Sequence, residues 1–208
     1  MTKRSGFLGI SVIAALATVH VVAAVDRAES DRLASVLKIK EGMRIGDVGA
    51  GRGDWSLELA GRVGPTGHVF ATEVDPDRLK DLHDRVSEGK LTNVSVVRGD
   101  QKDTGLSAEC CDALLVREVY HHFTDPAAMR SSLSRAVRPG GLIAIVDFEP
   151  GSHGLSRPSG IPENRNGHGI TRTLLIDEMV EAGFEVESEH PDWPDRSYCV
   201  VFRRPASL

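Results

Sequence analysis

Apolar positions along the chain fall into runs of two kinds, separated by turns. From Phe7 to Val25 they are almost continuous, broken only by small residues, Thr18 and His20. Thereafter short apolar runs alternate with amphipathic stretches. Leu33, Val36 and Leu37 recur at helical spacing and predict a helix over Asp26 to Lys38. Met43 to Val48 reads as a strand, and Asp54 as the cap of a helix over Trp55 to Arg62. His68 to Glu73 is a second strand, and Asp75-Pro76 opens a helix reaching Glu88. Asn93 to Arg98 and Cys111 to Val116 are further strands, and Asp125-Pro126 starts a helix running to Val137. Pro139-Gly140-Gly141 turns into a fifth strand, Leu142 to Phe148, whose unbroken apolar run suits a buried parallel strand. This alternation predicts an α/β fold: a Rossmann-like, doubly wound, mostly parallel sheet. Gly151 to Gly169 has no periodicity, and a loop that long is usually functional or mobile. Thr171 to Ala182 reads as a helix capped by Gly183. Phe184 to Glu189 and Ser197 to Phe202 read as strands whose short connection, Pro191 to Asp195, favours antiparallel pairing.

Composition narrows the picture. The net charge of −5 and the lack of a basic run argue against nucleic acid as a partner. Three cysteines, Cys110, Cys111 and Cys199, give neither a disulfide framework nor zinc-ligand spacing, so ordinary packing is expected of the adjacent pair. Lys3 and Arg4 before the long apolar run have the form of a secretory signal, with small residues at Val22-Ala23-Ala24 for cleavage, or of an uncleaved anchor. Residues 1–25 are therefore set apart from a domain over 26–208, and membrane contact through residues 6–25 is expected. Signal and anchor alike would place the domain outside the cytoplasm.

The chemistry concentrates in Ile45-Gly46-Asp47-Val48-Gly49-Ala50-Gly51-Arg52-Gly53. Glycines between a strand and a helix let the backbone approach a ligand, at the sheet edge where open α/β folds bind them. A dinucleotide site would want G-x-G-x-x-G. Here the spacing is G-x-G-x-G, and Asp47 precedes it by two residues. A carboxylate there is unwelcome beside a pyrophosphate but suits an ammonium and a sulfonium, which favours S-adenosylmethionine (SAM) over NAD. Glu73, at the end of the second strand, can accept hydrogen bonds from ribose hydroxyls. Asp100, in Arg98-Gly99-Asp100-Gln101, can accept an adenine amine or cap a turn.

These pieces, in this order, resemble the class I SAM-dependent methyltransferases, closest to the small-molecule group with the ubiquinone- and menaquinone-type enzymes. The resemblance spans Lys40 to Phe148 and includes Val116-Arg117-Glu118-Val119-Tyr120-His121-His122-Phe123 and Arg138-Pro139-Gly140-Gly141. It implies a seven-stranded sheet with an antiparallel C-terminal strand. It also implies a SAM site from Asp47, Gly49, Ala50, Gly51, Gly53, Glu73, Val74, Asp100, Gln101 and Arg117, and a small-molecule methyl acceptor. Arg117-Glu118 departs from the family pattern: the pair neutralises itself, or Arg117 points to substrate. SAM is made in the cytosol, so this cofactor conflicts with the exported location that the N-terminal run suggests. For proton transfer, His121 and His122 are the candidates, with Tyr120 as a hydrogen-bonding neighbour; the alternative is that one histidine packs while the other shapes the pocket. His121, His122, His153 and His168 have no diagnostic ligand spacing, and no metal is expected. The alternatives are an NAD-dependent oxidoreductase and a non-catalytic SAM-binding scaffold.

Overall fold

The structure, a computed structural model, describes residues 25–165 and 167–206. The signal or anchor expected from the N-terminal run lies almost wholly outside them. Among the described residues no helix is long and apolar enough to cross a membrane. The elements are α1 (Arg27–Val36), β1 (Arg44–Val48), α2 (Asp54–Val63), β2 (His68–Glu73), α3 (Pro76–Glu88), β3 (Val94–Arg98), β4 (Cys111–Arg117), α4 (Pro126–Ala136), β5 (Val137–Phe148), α5 (Arg172–Glu181), β6 (Glu185–Trp193) and β7 (Ser197–Arg203).

The seven strands form one sheet in the order β3-β2-β1-β4-β5-β7-β6. β1 to β5 pair in parallel and β7 runs antiparallel to both its neighbours, β5 and β6. The strand order reverses between β1 and β4, which opens a crevice at their carboxyl ends.

Alternating side chains of the central strands feed two cores. Ala113 and Leu115 of β4, with Leu142, Ala144 and Val146 of β5, pack with Leu33, Leu59, Val63 and Leu82 of α1, α2 and α3. Leu114 and Val116, with Ile143 and Ile145, pack on the other face with Met129, Leu133, Leu175 and Met179 of α4 and α5. Because consecutive strand residues point to opposite faces, a strand covered on both must be apolar throughout, and these are.

Capping fixes where the helices begin. Asp75 Oδ1 accepts from the backbone N–H of Asp77 and Arg78, Asp125 from Ala128, and Thr171 from Leu174. Asp54 does not cap α2. Gly53, in the left-handed conformation, takes that position, and Asp54 lies inside the first turn with its carboxylate on Arg85 Nη1 at 2.7 Å. β5 begins five residues earlier than the apolar run suggests, because Gly140 N–H donates to Arg204 and Arg204 N–H to Gly141 beside β7.

One further expectation is corrected. Cys110 and Cys111 are joined as a disulfide between adjacent residues, at the loop–strand junction where only packing was expected. The long loop after β5, read as functional or mobile, is anchored at one point. Arg165, fully buried in a short 3-10 turn, donates to both carboxylate oxygens of Glu178 on α5, at 2.6 and 3.1 Å.

Candidate active site

The loop after β1 turns over the crevice with Gly49, Gly51 and Gly53 all at positive φ. Gly49 combines φ +73° with a tight neighbour, since a Cβ there would stand 2.6 Å from Val119 Cγ2. No other residue fits both conditions.

Glu73, buried at the end of β2, holds the loop in place. Its Oε2 accepts from Gly51 N–H at 2.9 Å, and its Oε1 accepts from Val74 and Asp75 N–H at 2.8 and 2.9 Å. One carboxylate thus sets the glycine loop, the end of β2 and the start of α3 in register.

Asp47 lies buried beneath the loop and accepts from Ser56 Oγ at 2.6 Å. Burial pushes its pKa up to about 6, against the Ser56 hydrogen bond and the Arg117 charge, which pull it down; Glu73 adds a small push upward. Removal from water dominates because it penalises the charged form most.

Three cavities lie along this edge. One, of about 350 Å3, is bordered by Glu73, Val74, Asp100, Gln101, Val119 and Met129. A second, of about 320 Å3, lies on the other side of Gly49, bordered by Asp47, Ala50, Gly51, Trp55 and Arg117. A third, of about 250 Å3, is bordered by His121, His122, Phe148, His153, Leu155 and His168. Gly49 borders the first two; Glu118 and His122 border the first and third. A Cβ on Gly51 would meet no protein atom, so the loop faces open space there.

This arrangement suits a SAM-shaped ligand. The first cavity offers carboxylates for ribose and adenine edges beside apolar walls, and the second offers Asp47 and the N-terminal turn of α2 for an amino-acid moiety. Asp100 also serves its turn, with Oδ1 accepting from Lys102 and Asp103 N–H at 2.7 and 2.9 Å. Gly53 borders none of these cavities; it caps α2. Arg117 pairs with Glu118 at 2.8 Å and with buried Glu29 of α1 at 3.0 Å, and it also borders the second cavity. Glu29 also accepts from Trp193 Nε1 at 2.9 Å; no local sequence signal marks a residue of α1 as joining these distant elements.

The histidines are built differently from one another. His121, buried, donates from Nδ1 to Asp147 Oδ1 at 2.8 Å, and its backbone N–H donates to Asp147 Oδ2 at 3.2 Å. Its Nε2 is buried without a hydrogen-bond partner among the described residues. Burial, with His121 and His168 nearby, lowers the pKa of His122 to about 4, although Asp147 pulls it upward. Tyr120 is turned away from this edge. Its hydroxyl donates to Glu178 at 2.8 Å in the core, where burial raises its pKa, and it borders none of the three cavities. It is a core residue, not a neighbour of the reacting group. Sequence marks Asp147 as a strand-end aspartate near the pocket, a substrate contact or a partner of a backbone N–H, but carries no signal that it will meet a histidine from the preceding crossover.

A sheet of this order with a glycine loop and an acid ending β2 defines a class I SAM-dependent methyltransferase fold. Residues 39–185 match the family model described as methyltransferase domain, and the chain belongs to that family. It is 26% identical over 112 residues to the demethylmenaquinone methyltransferase of Listeria monocytogenes, covering 54% of this chain and 47% of that protein. It is likewise 26% identical over 111 residues to the ubiquinone/menaquinone biosynthesis C-methyltransferase of Idiomarina loihiensis, covering 53% of this chain and 44% of that one. The chain thus spans about half the length of the relatives it matches. Among solved structures it resembles a SAM-dependent methyltransferase from Aquifex aeolicus, with a TM-score of 0.72 at 20% identity over 84% of this chain and 88% of that one. It also resembles Aeropyrum pernix fibrillarin with bound SAM, at TM-score 0.60, 18% identity and coverage of 85% and 73%.

Proposed function

We propose that the protein transfers a methyl group from SAM to a small ring-bearing acceptor with an ionisable hydroxyl, such as the reduced form of a quinone of the kind named in its relatives. The observation that carries this reading is the row of three cavities, with Gly49 shared by the first two and His122 by the first and third. Glu73, Val74, Asp100 and Gln101 would hold the adenosine part. Asp47, Ala50 and Gly51 would face the amino acid, with Arg117 shaping the wall of that cavity. Bound there, SAM supplies an electrophilic methyl group on sulfonium.

The acceptor would enter beside His122, Phe148 and Leu155. At about 250 Å3 this cavity lies just below the usual range for small-molecule sites, which favours a single ring over a peptide. Placing the acceptor against the methyl group accounts for much of the rate, through orientation. His121 and His122 present the nitrogens through which an acceptor hydroxyl can lose its proton. The apolar run at residues 6–25 fits an acceptor that partitions into membranes.

The test is transfer of labelled methyl from SAM to a panel of catechols, quinols and small amines. The reading expects labelled product from at least one hydroxylated ring, with the rate reduced about 100-fold or more in His122→Ala. Stoichiometric SAM binding without transfer to any acceptor, quinols included, would favour the scaffold reading instead.

A further inference from the structure

We propose that His121, His122 and His168 form a binding site for a divalent transition-metal ion. Each ring can offer one nitrogen, and the three nitrogens lie within 4.8 Å of one another. The ring centroids are 4.1 Å apart for His121 and His122, 4.8 Å for His121 and His168, and 5.2 Å for His122 and His168. Sequence spacing gave no hint of this, because the residues come from the β4–α4 crossover and the far end of a long loop.

His121 is prepared as a ligand. The bond from Nδ1 to Asp147 leaves the lone pair on Nε2, which is buried and has no partner among the described residues. A carboxylate behind a ligating imidazole is the usual support of a metal-bound histidine, fixing its tautomer and direction. Asp147 is itself held, accepting from the backbone N–H of His121 and Phe148.

The loop delivers His168 by a close backbone pass. Gly169 has φ +117°, and a Cβ there would stand 2.6 Å from the Phe148 carbonyl oxygen. One residue later the chain is fastened, with Ile170 N–H donating to Phe148 at 3.0 Å and the Tyr198 hydroxyl to the Ile170 carbonyl at 2.7 Å. His168 is thereby placed over His121, while its half-buried ring keeps freedom to turn inward.

A tetrahedral ion at about 2.05 Å from its ligands sets nitrogens about 3.3 Å apart, so binding would draw the cluster together by about 1.5 Å at its widest. His122, exposed, and His168, half-buried, can make that movement by side-chain rotation, against a fixed His121. An all-imidazole set selects zinc, iron(II), cobalt or nickel over magnesium or calcium, which prefer oxygen. Three protein ligands leave a position open.

What the ion would do rests on the methyltransferase reading; that it binds does not. An acceptor hydroxyl could coordinate at the open position and release its proton to solvent. The new carbon–oxygen bond would then form as the sulfur–methyl bond breaks, with that electron pair left on sulfur. His121 and His122 would act as ligands rather than as bases.

The test uses the full chain, purified without a polyhistidine tag, stripped with chelator and titrated with cobalt(II), while SAM is titrated separately. The expected result is one equivalent of cobalt with the visible bands of nitrogen coordination, displaced by zinc. His168→Ala and His122→Ala should each weaken binding at least about tenfold, and Asp147→Asn about 10- to 100-fold. His83→Ala, on the exposed face of α3, should change nothing. Absence of stoichiometric cobalt binding, or binding unaltered in both His168→Ala and His122→Ala, overturns the metal site. Loss of SAM binding with cobalt binding intact would overturn the methyltransferase reading alone.

Discussion

Replacing Asp47 by Asn separates the stability of the site from its function. Asp47 is buried, and its pKa rises from the ordinary 3.8 to about 6. At about 1.4 kcal/mol per tenfold change in proton affinity, the rise corresponds to about 3 kcal/mol. The sign follows from proton counts. Between these two values the folded chain holds a proton that the unfolded chain has released, so stability falls as pH rises from about 4 to about 6 and is level above that. Asn cannot titrate. The stability of Asp47→Asn relative to wild type should therefore grow by about 2 to 3 kcal/mol between about pH 4 and about pH 7.5. A constant packing difference between the side chains cancels from that comparison. Urea unfolding of both proteins, without ligand, across the pH range is the assay. SAM binding should move the other way, weakening about 10- to 100-fold at neutral pH with the loss of a charged partner for the ammonium group. A stability difference between the two proteins that does not vary with pH would refute the argument that Asp47 is a strained, functional carboxylate.

Three other substitutions probe the frame. Glu73→Gln replaces an acceptor of three backbone N–H groups with one that can serve only one end, and should cost about 1 to 3 kcal/mol in thermal unfolding while weakening SAM binding. Gly49→Ala meets Val119 and a positive φ, and should cost about 1 to 3 kcal/mol; adding Val119→Ala should relieve the contact but not the backbone strain. Glu178→Ala leaves buried Arg165 without its carboxylate, and should cost about 3 to 5 kcal/mol with faster limited proteolysis of the loop that Arg165 anchors.

The parts of this molecule that were legible in sequence are those set by local rules. β2 and α3 were bounded correctly because Glu73, Asp75 and Pro76 end one element and begin the next within four residues. The parallel core strands were legible because burial on two faces leaves an unbroken apolar run, as at Leu142 to Val146. The loop from Gly49 to Gly53 was legible because positive φ restricts residue choice. What sequence did not show depends on contacts between distant segments. Arg117 reads only as the neighbour of Glu118 or as a substrate contact until Glu29, 88 positions earlier, is folded against it. Tyr120 reads as a neighbour of the site, but a 3-10 turn directs it into the core toward Glu178. His121 gains its orientation from Asp147 and its company from His168, and neither pairing has a spacing that a motif could record.

The most direct test of the central claim is calorimetric titration of the full chain with SAM, beside Asp47→Asn and Glu73→Gln, with NAD as the control. The account predicts one SAM bound per chain with micromolar affinity, weakened in both variants, and no heat from NAD. A folded wild-type protein that gives no heat with SAM would contradict it.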